Sequence, residues 1–278
     1  MRSSRCASRA AWAPPACSKS SESKGGSDGA VVRRKTAFVT GGGSGIGRAA
    51  ALAFAAEGAK VAIGDLNGDS AAETAALIRA EGGEAHHGAL DVTDGRAVDA
   101  FVDDIVTRWG RLDCAFNNAG VSLEGMETPW GDLAAYDRTI AVNQRGLLLC
   151  MAAELRHMEK AGRGAIVNTA SIAGMAGAGG AGYCGSKHAV IGLTRSAAMR
   201  YAAQGIRINA VRPGAIRTPM VDAVVKEEAA ARFVAEMHPM NRIGEAHEIA
   251  DAVIFLCSDK ASFITGHPLA VDGGYLAR

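Results

Sequence analysis

Thr36-Ala-Phe-Val-Thr40-Gly-Gly-Gly-Ser-Gly-Ile-Gly47 decides the fold of this chain of 278 residues. A short β-type run enters a glycine-rich turn, and an alanine-rich helical stretch follows to about Gly58. That order brings backbone N–H groups to the start of a helix, where the helix dipole also favours an anion. Glycines at 41, 45 and 47 allow the tight turn and let the backbone approach a diphosphate. The spacing is G-x-x-x-G-x-G rather than the commoner G-x-G-x-x-G, so the turn alone is a weak signal for a nucleotide.

Working outward, strand-like and helix-like segments alternate. Strands are expected at 60–65, 85–90, 112–117, 165–170, 206–211 and 268–272, and helices at about 70–80, 97–109, 133–161 and 183–203. Strands separated by helices of this length indicate βαβ units and a parallel sheet. Apolar runs such as Ala165-Ile-Val167 suit strands covered on both faces. The expectation is a doubly wound α/β sheet of about seven strands, forming one domain over residues 34–278.

Residues 1–33 break the pattern. They are rich in Ser, Ala, Arg and Gly, hold Pro14-Pro15 and lack apolar periodicity, so a disordered extension is expected. Arg2, Arg5, Arg9 and Lys19 precede the first acid, Glu22, which resembles an organellar presequence. A misassigned start codon or a cloning remnant is the alternative.

The 30 basic and 29 acidic residues nearly cancel, which leaves no electrostatic footprint for nucleic acid or an anionic membrane. No apolar run reaches the roughly 18 residues that suggest a membrane span. Cys6, Cys17, Cys114, Cys150, Cys184 and Cys257 form no C-x-x-C pair. That spacing points away from a zinc site or disulfide framework and toward a reducing, cytoplasmic compartment. His86, His87, His188, His238, His247 and His267 suggest no metal site either.

Asp65 ends the second strand. In a dinucleotide fold an acid there bonds the adenosine ribose hydroxyls and repels a 2′-phosphate. Ser44 and Leu66 offer no basic side chain for that phosphate, so NAD is expected over NADP; a solvated turn acid is the alternative. In Gly182-Tyr-Cys-Gly-Ser-Lys-His188, Tyr183 and Lys187 share a helix face. An ammonium beside a phenol favours phenolate, so Lys187 is expected to lower the pKa of Tyr183 and fit it for acid/base work. Any helix can carry Tyr and Lys at this spacing, so the pair draws its meaning from its neighbours.

Those neighbours are informative. Thr40–Gly47, Asn117-Asn-Ala-Gly120, Tyr183-Cys-Gly-Ser-Lys187 and Pro213-Gly214 resemble, in that order, the motifs of the short-chain dehydrogenase/reductase family. The resemblance covers residues 34–278 and implies a Rossmann fold. It implies cofactor contacts from Gly41, Ser44, Gly45, Ile46 and Gly47 in the turn, Asp65 at the ribose, and Asp91 and Val92 at the adenine. Asn117, Ala119 and Gly120 would line the cofactor, with Asp113 steadying the sheet, and Pro213, Gly214, Ile216 and Thr218 would meet the nicotinamide carboxamide.

The same resemblance implies a catalytic set of Asn143, Ser171, Tyr183 and Lys187. Ser171 would orient the reacting oxygen, Tyr183 would exchange its proton, Lys187 would tune the phenol and grip the nicotinamide ribose, and Asn143 would hold a water in a relay to Lys187. Ser171 stands one residue closer to Tyr183 than is usual in the family, and Ala170, at the usual spacing, has no hydroxyl. Met220, Val221, Val224 and Met237 are expected to form an apolar wall, or else an ordinary amphipathic helix. The implied activity is NAD-dependent oxidoreduction of a small-molecule secondary alcohol or ketone by a homotetramer or dimer. An NADPH-dependent 3-oxoacyl-thioester reductase and a non-catalytic dinucleotide-binding protein are the alternatives.

Overall fold

The computed structural model describes residues 31–124, 130–223 and 225–277. The first thirty residues of the expected extension, and Val224 of the expected apolar wall, lie outside the described residues. Val32, assigned from sequence to the extension, is fully buried in the core. The packed chain therefore begins before residue 34, because Val32 adds an apolar side chain to the cluster around Phe54 and Ala59.

The strands are β1 (Thr36–Thr40), β2 (Lys60–Asp65), β3 (Ala85–Ala89), β4 (Cys114–Asn117), β5 (Gly164–Thr169), β6 (Ile206–Pro213) and β7 (Pro268–Val271). They form one sheet in the order β3-β2-β1-β4-β5-β6-β7, with every pairing parallel. The helices are α1 (Gly45–Ala56), α2 (Gly68–Ala80), α3 (Gly95–Trp109), α4 (Leu133–Ile140), α5 (Leu147–Ala161), α6 (Ala181–Tyr201), α7 (Pro219–Asp222), α8 (Glu228–Glu236) and α9 (Ala246–Cys257).

Strand pleating explains both the apolar runs and the two helical layers. Successive side chains point to opposite faces. Ala37, Val39, Val61 and Ile63 pack on one side with residues of α1, α2 and α9. Phe38 and Ala62 pack on the other with residues of α3, α5 and α6. The central strands are covered on both faces, so most of their positions are apolar.

Two features differ from the sequence expectation. Helix α9 was not anticipated, although parallel β6 and β7 require a crossover between them. It begins with a capping box in which Glu245 and Glu248 satisfy each other's backbone N–H groups. The expected helix over 133–161 is also interrupted: α4 and α5 join through a π-helical turn, Ala141–Gly146, which contains Asn143. Such turns occur often at functional sites because the extra residue re-aims its neighbours.

The strand order reverses between β1 and β4, and connections leave those two strands in opposite directions. A crevice opens beyond their carboxyl ends, the place where doubly wound sheets bind ligands.

Candidate active site

The glycine turn forms one wall of that crevice. Gly41 and Gly45 have φ of 63° and 50°, which a side chain rarely adopts. A Cβ at Gly41 would also stand 2.9 Å from the Cα of Ala119. Thr40 Oγ1 accepts the N–H groups of Asn118 (3.0 Å) and Ala119 (3.1 Å), tying the turn to the end of β4. Ser44 caps α1 by position only, without a side-chain bond to the first-turn N–H groups. Those N–H groups sit at the crevice floor and suit a diphosphate.

Gly47 has a different task. A Cβ there would lie 2.0 Å from the carbonyl oxygen of Gly41, so this glycine permits the helix to pack under the turn. It does not line the cleft.

The cleft has a volume of about 390 Å³ and brings together most of the expected cofactor residues: Gly41, Ser44, Gly45, Ile46, Asp65, Asp91, Val92, Ala119, Gly120, Tyr183, Lys187, Pro213, Gly214, Ile216 and Thr218. Asp65 accepts the N–H of Gly43 at 2.8 Å and that of Asn67 at 2.9 Å, which fixes its carboxylate against the glycine turn. Asp91 accepts both the N–H and the hydroxyl of Thr93. Thr218 caps α7 and faces Gly45, where a Cβ would meet its side chain at 3.1 Å.

Asn117 requires a correction. It does not line the cleft. Its amide donates to Glu154 Oε2 at 3.0 Å and to Asn168 Oδ1 at 3.1 Å, inside the layer beneath α5. The pleat is the reason, since Asn117 shares the face of Ala115. Asn118, one residue on, is the group in the cleft, and its Nδ2 donates to the carbonyls of Thr40 and Gly41. Asp113 steadies the sheet as expected, accepting the N–H of Thr36 at 2.9 Å and pairing with Arg111.

At the inner end of the cleft, Ser171, Tyr183 and Lys187 converge. Ser171 stands close enough to the Tyr183 hydroxyl to draw the phenol's pKa down, so the shorter loop still delivers the serine. Its Oγ also accepts the N–H of Ala173 at 3.1 Å and starts a 3₁₀ turn, Ile172–Gly174. Gly174 lets that turn press onto α6, where a Cβ would stand 2.7 Å from the Lys187 carbonyl oxygen. Lys187 Nζ lies 5.5 Å from the centre of the Tyr183 ring and donates to the Thr169 carbonyl at 2.9 Å.

The electrostatics differ from the simple expectation. Burial pushes the Tyr183 phenol above its ordinary pKa, and the nearby Ser171 hydroxyl opposes that rise. Burial also pulls the Lys187 ammonium down to about 8. Ser171 is thus the leading group favouring phenolate, and Lys187 adds a cation over the ring face that is itself made costly by burial.

Asn143 is buried in the π turn and engages the chain just beyond Gly120. Its Oδ1 accepts the N–H of Val121, and its Nδ2 donates to the Val121 carbonyl, both at 2.8 Å. Nδ2 also reaches Ser186 Oγ at 3.2 Å. A Cβ on Gly120 would sit 3.2 Å from Asn143 Oδ1 and 3.5 Å from Lys187 Nζ, so the two side chains flank one glycine. Of the expected apolar wall, Met220 and Val221 line the cleft, whereas Met237, at the end of α8, does not.

A family model described as Enoyl-(Acyl carrier protein) reductase matches residues 41–276. The chain belongs to the short-chain dehydrogenase/reductase family. Among its relatives in that family is the 2,5-dichloro-2,5-cyclohexadiene-1,4-diol dehydrogenase of Sphingobium indicum, 44% identical over 87% of this chain and 97% of the relative. Another is the cyclohexanol dehydrogenase of Acinetobacter sp., 40% identical over 88% of this chain and 96% of the relative. The crystal structure of levodione reductase matches with a TM-score of 0.84 at 40% identity, covering 88% of this chain and 98% of that one. This short-chain dehydrogenase/reductase accordingly has the Rossmann-type sheet and the oxidoreductase character of its family.

Sequence reading missed Asn118, Val121 and Thr169 at the site. Asn118 stood within the quoted Asn117–Gly120 motif, and strand parity from Ala115 was the signal that could have chosen it over Asn117.

Proposed function

We propose that the protein interconverts a compact, apolar secondary alcohol, cyclic by preference, and its ketone, with NAD(H) as the partner. The observation that carries this reading is the meeting of Ser171, Tyr183 and Lys187 at the inner end of the cleft whose other walls are the glycine turn and Asp65. The relatives named for cyclohexanol and for a chlorinated cyclohexadiene diol support the substrate class. So do Val121, Met220 and Val221, apolar side chains that line the cleft.

The residues fit a nicotinamide dinucleotide: Gly41, Ser44, Gly45 and Ile46 line the cleft, and the first-turn N–H groups of α1 take no side-chain acceptor from Ser44. Gly41, Ser44, Gly45 and Ile46 would hold its diphosphate, Asp65 its ribose, and Pro213, Gly214, Ile216 and Thr218 its carboxamide. Asp65 at the end of β2, flanked by Leu66, favours a free 2′-hydroxyl over a 2′-phosphate. When bound, the dinucleotide takes up or returns the carbinol hydrogen with its electron pair.

The chain's own groups move the proton. Ser171 Oγ orients the alcohol oxygen, and Tyr183 phenolate accepts the hydroxyl proton as the carbonyl forms. Lys187 holds a positive charge near that phenolate. Asn143, by fixing Val121 and Ser186, keeps the approach to Lys187 open for a relay water. Ketone reduction runs the same steps backwards, with Tyr183 as the acid.

The same reading takes residues 34–278, with the packed Val32 ahead of them, as the catalytic domain of a homo-oligomer, dimer or tetramer, in a reducing compartment such as the cytoplasm. The four described cysteines, all free, agree with such a compartment. A panel of alcohols with NAD⁺ and NADP⁺, followed by nicotinamide absorbance, tests the activity. Turnover of cyclohexanol-like substrates with NAD⁺ is expected. Turnover confined to 3-oxoacyl thioesters with NADPH would replace this reading with the thioester reductase.

A further inference from the structure

Helix α6 carries Tyr183 and Lys187, yet its own N-terminus lacks a cap. Its N-cap residue is Gly180, which has no side chain to accept the orphan N–H groups of the first turn. A capping side chain normally accepts from the second and third helical residues, which here are Gly182 and Tyr183. Both of those N–H groups donate to Oε1 of Glu124, that of Tyr183 at 3.1 Å. The second oxygen, Oε2, accepts the Thr139 hydroxyl of α4 at 3.2 Å.

Glu124 thus caps α6 from the segment that follows β4, and the chain is shaped to admit it. A Cβ on Gly180 would stand 2.6 Å from the Glu124 Cβ, and one on Gly182 would stand 2.6 Å from its Oε1. The same glycines belong to the shortened loop between Ser171 and Tyr183.

We infer that Glu124 is a positioning residue for the reaction: its carboxylate sets the first turn of α6, and hence the Tyr183 hydroxyl, against Ser171. This rests on the proposed role of Tyr183 as the acid/base. The two N–H bonds need an acceptor oxygen of the right reach, not a charge as such. Glu124→Gln keeps an oxygen at that distance, Glu124→Asp withdraws it by one methylene, and Glu124→Ala removes it.

The test uses cyclohexanol oxidation with NAD⁺, NADH binding by fluorescence, thermal unfolding, and hydrogen exchange in a peptide spanning Gly182 and Tyr183. Glu124→Ala and Glu124→Asp are expected to lower kcat about 10- to 100-fold, as displacement of a reacting group by about 1 Å does. NADH affinity should stay within twofold, while exchange in the Gly182–Tyr183 peptide quickens. Glu124→Gln should recover most of the turnover and of the protection.

The inference is overturned if Glu124→Ala turns over as fast as the unaltered enzyme. It is equally overturned if Glu124→Gln fails as badly as Glu124→Ala, or if NADH binding and unfolding temperature fall in step with kcat. Tyr183→Phe, run alongside, separates the two readings: activity in that variant removes the acid/base role of Tyr183, whatever Glu124 does.

Discussion

Lys187 holds its ammonium 5.5 Å from the centre of the Tyr183 ring while donating to the Thr169 carbonyl. The lysine is anchored by backbone and buried, so it can stay beside the phenol without being spent on a carboxylate. Replacing Tyr183 by Phe keeps the ring and its packing but removes the hydroxyl proposed to exchange the proton. We expect Tyr183→Phe to lower kcat by at least about 10³-fold while leaving NADH affinity within twofold. Steady-state turnover and fluorescence titration read the two effects separately, and an active Phe variant would sink the mechanism.

Ser171 should control the pH at which the enzyme works. Its hydroxyl is the group that opposes the upward push of burial on Tyr183. A hydrogen bond to phenolate stabilises the charged form and lowers the pKa, so its loss raises the pKa. In the proposed mechanism alcohol oxidation requires phenolate and therefore gains rate as pH rises. In Ser171→Ala the rise in kcat/KM for oxidation is expected to move to higher pH, with kcat about 10²-fold lower near neutrality. A profile lowered uniformly, without a shift, would show that Ser171 orients substrate without tuning Tyr183.

These features were unevenly legible. Thr36–Gly47 announced strand, turn and helix because the determinants lie within a dozen neighbouring residues. Tyr183 and Lys187 were legible for the same reason, being one helical turn apart. Asn117 was assigned to the cleft because the motif does not reveal which of two adjacent asparagines the pleat turns inward. Glu124 left no local trace, since its partners lie on α4 and α6. The π turn at Asn143 was invisible because its apolar spacing reads as one continuous helix. Helix α9 had a readable start in Glu245-Ala-His-Glu248, which the absence of a preceding Ser or Thr obscured.

Cofactor choice should turn on Asp65. Its two oxygens accept from Gly43 and Asn67, so the carboxylate is held at the end of β2 and cannot swing aside for a 2′-phosphate. A carboxylate beside a phosphate, both negative, opposes binding. Asp65→Ser combined with Leu66→Arg removes the repulsion and adds a cation. The ratio of kcat/KM for NAD⁺ over NADP⁺ is expected to fall at least about 10-fold. If unaltered enzyme binds NADPH as tightly as NADH, the role given to Asp65 is wrong.

Glu154 gives the fold itself a pH dependence. It is fully buried beneath β4, and burial raises its pKa to about 8, against a partial opposing effect from the Asn117 amide. Its Oε1 and the neighbouring Asn117 Oδ1 both lack partners among the described residues, an arrangement in which an acid proton is welcome and a second lone charge is not. The unfolded carboxyl titrates near 4.5. Between that pH and 8 the unfolded chain has released the proton and the folded chain retains it, so folding stability falls as pH rises. The contribution is fully present below about pH 4.5 and declines across the window by on the order of 4–5 kcal/mol. Glu154→Gln keeps the shape and an amide able to donate to Asn117 Oδ1, and it cannot ionise. Urea unfolding at pH 5.5, 7 and 8.5 should show the unaltered protein losing stability through this series, and the Gln variant losing much less. Parallel curves for the two proteins would mean that Glu154 is ionised in the fold, and that α5 carries a buried charge instead of a buried acid.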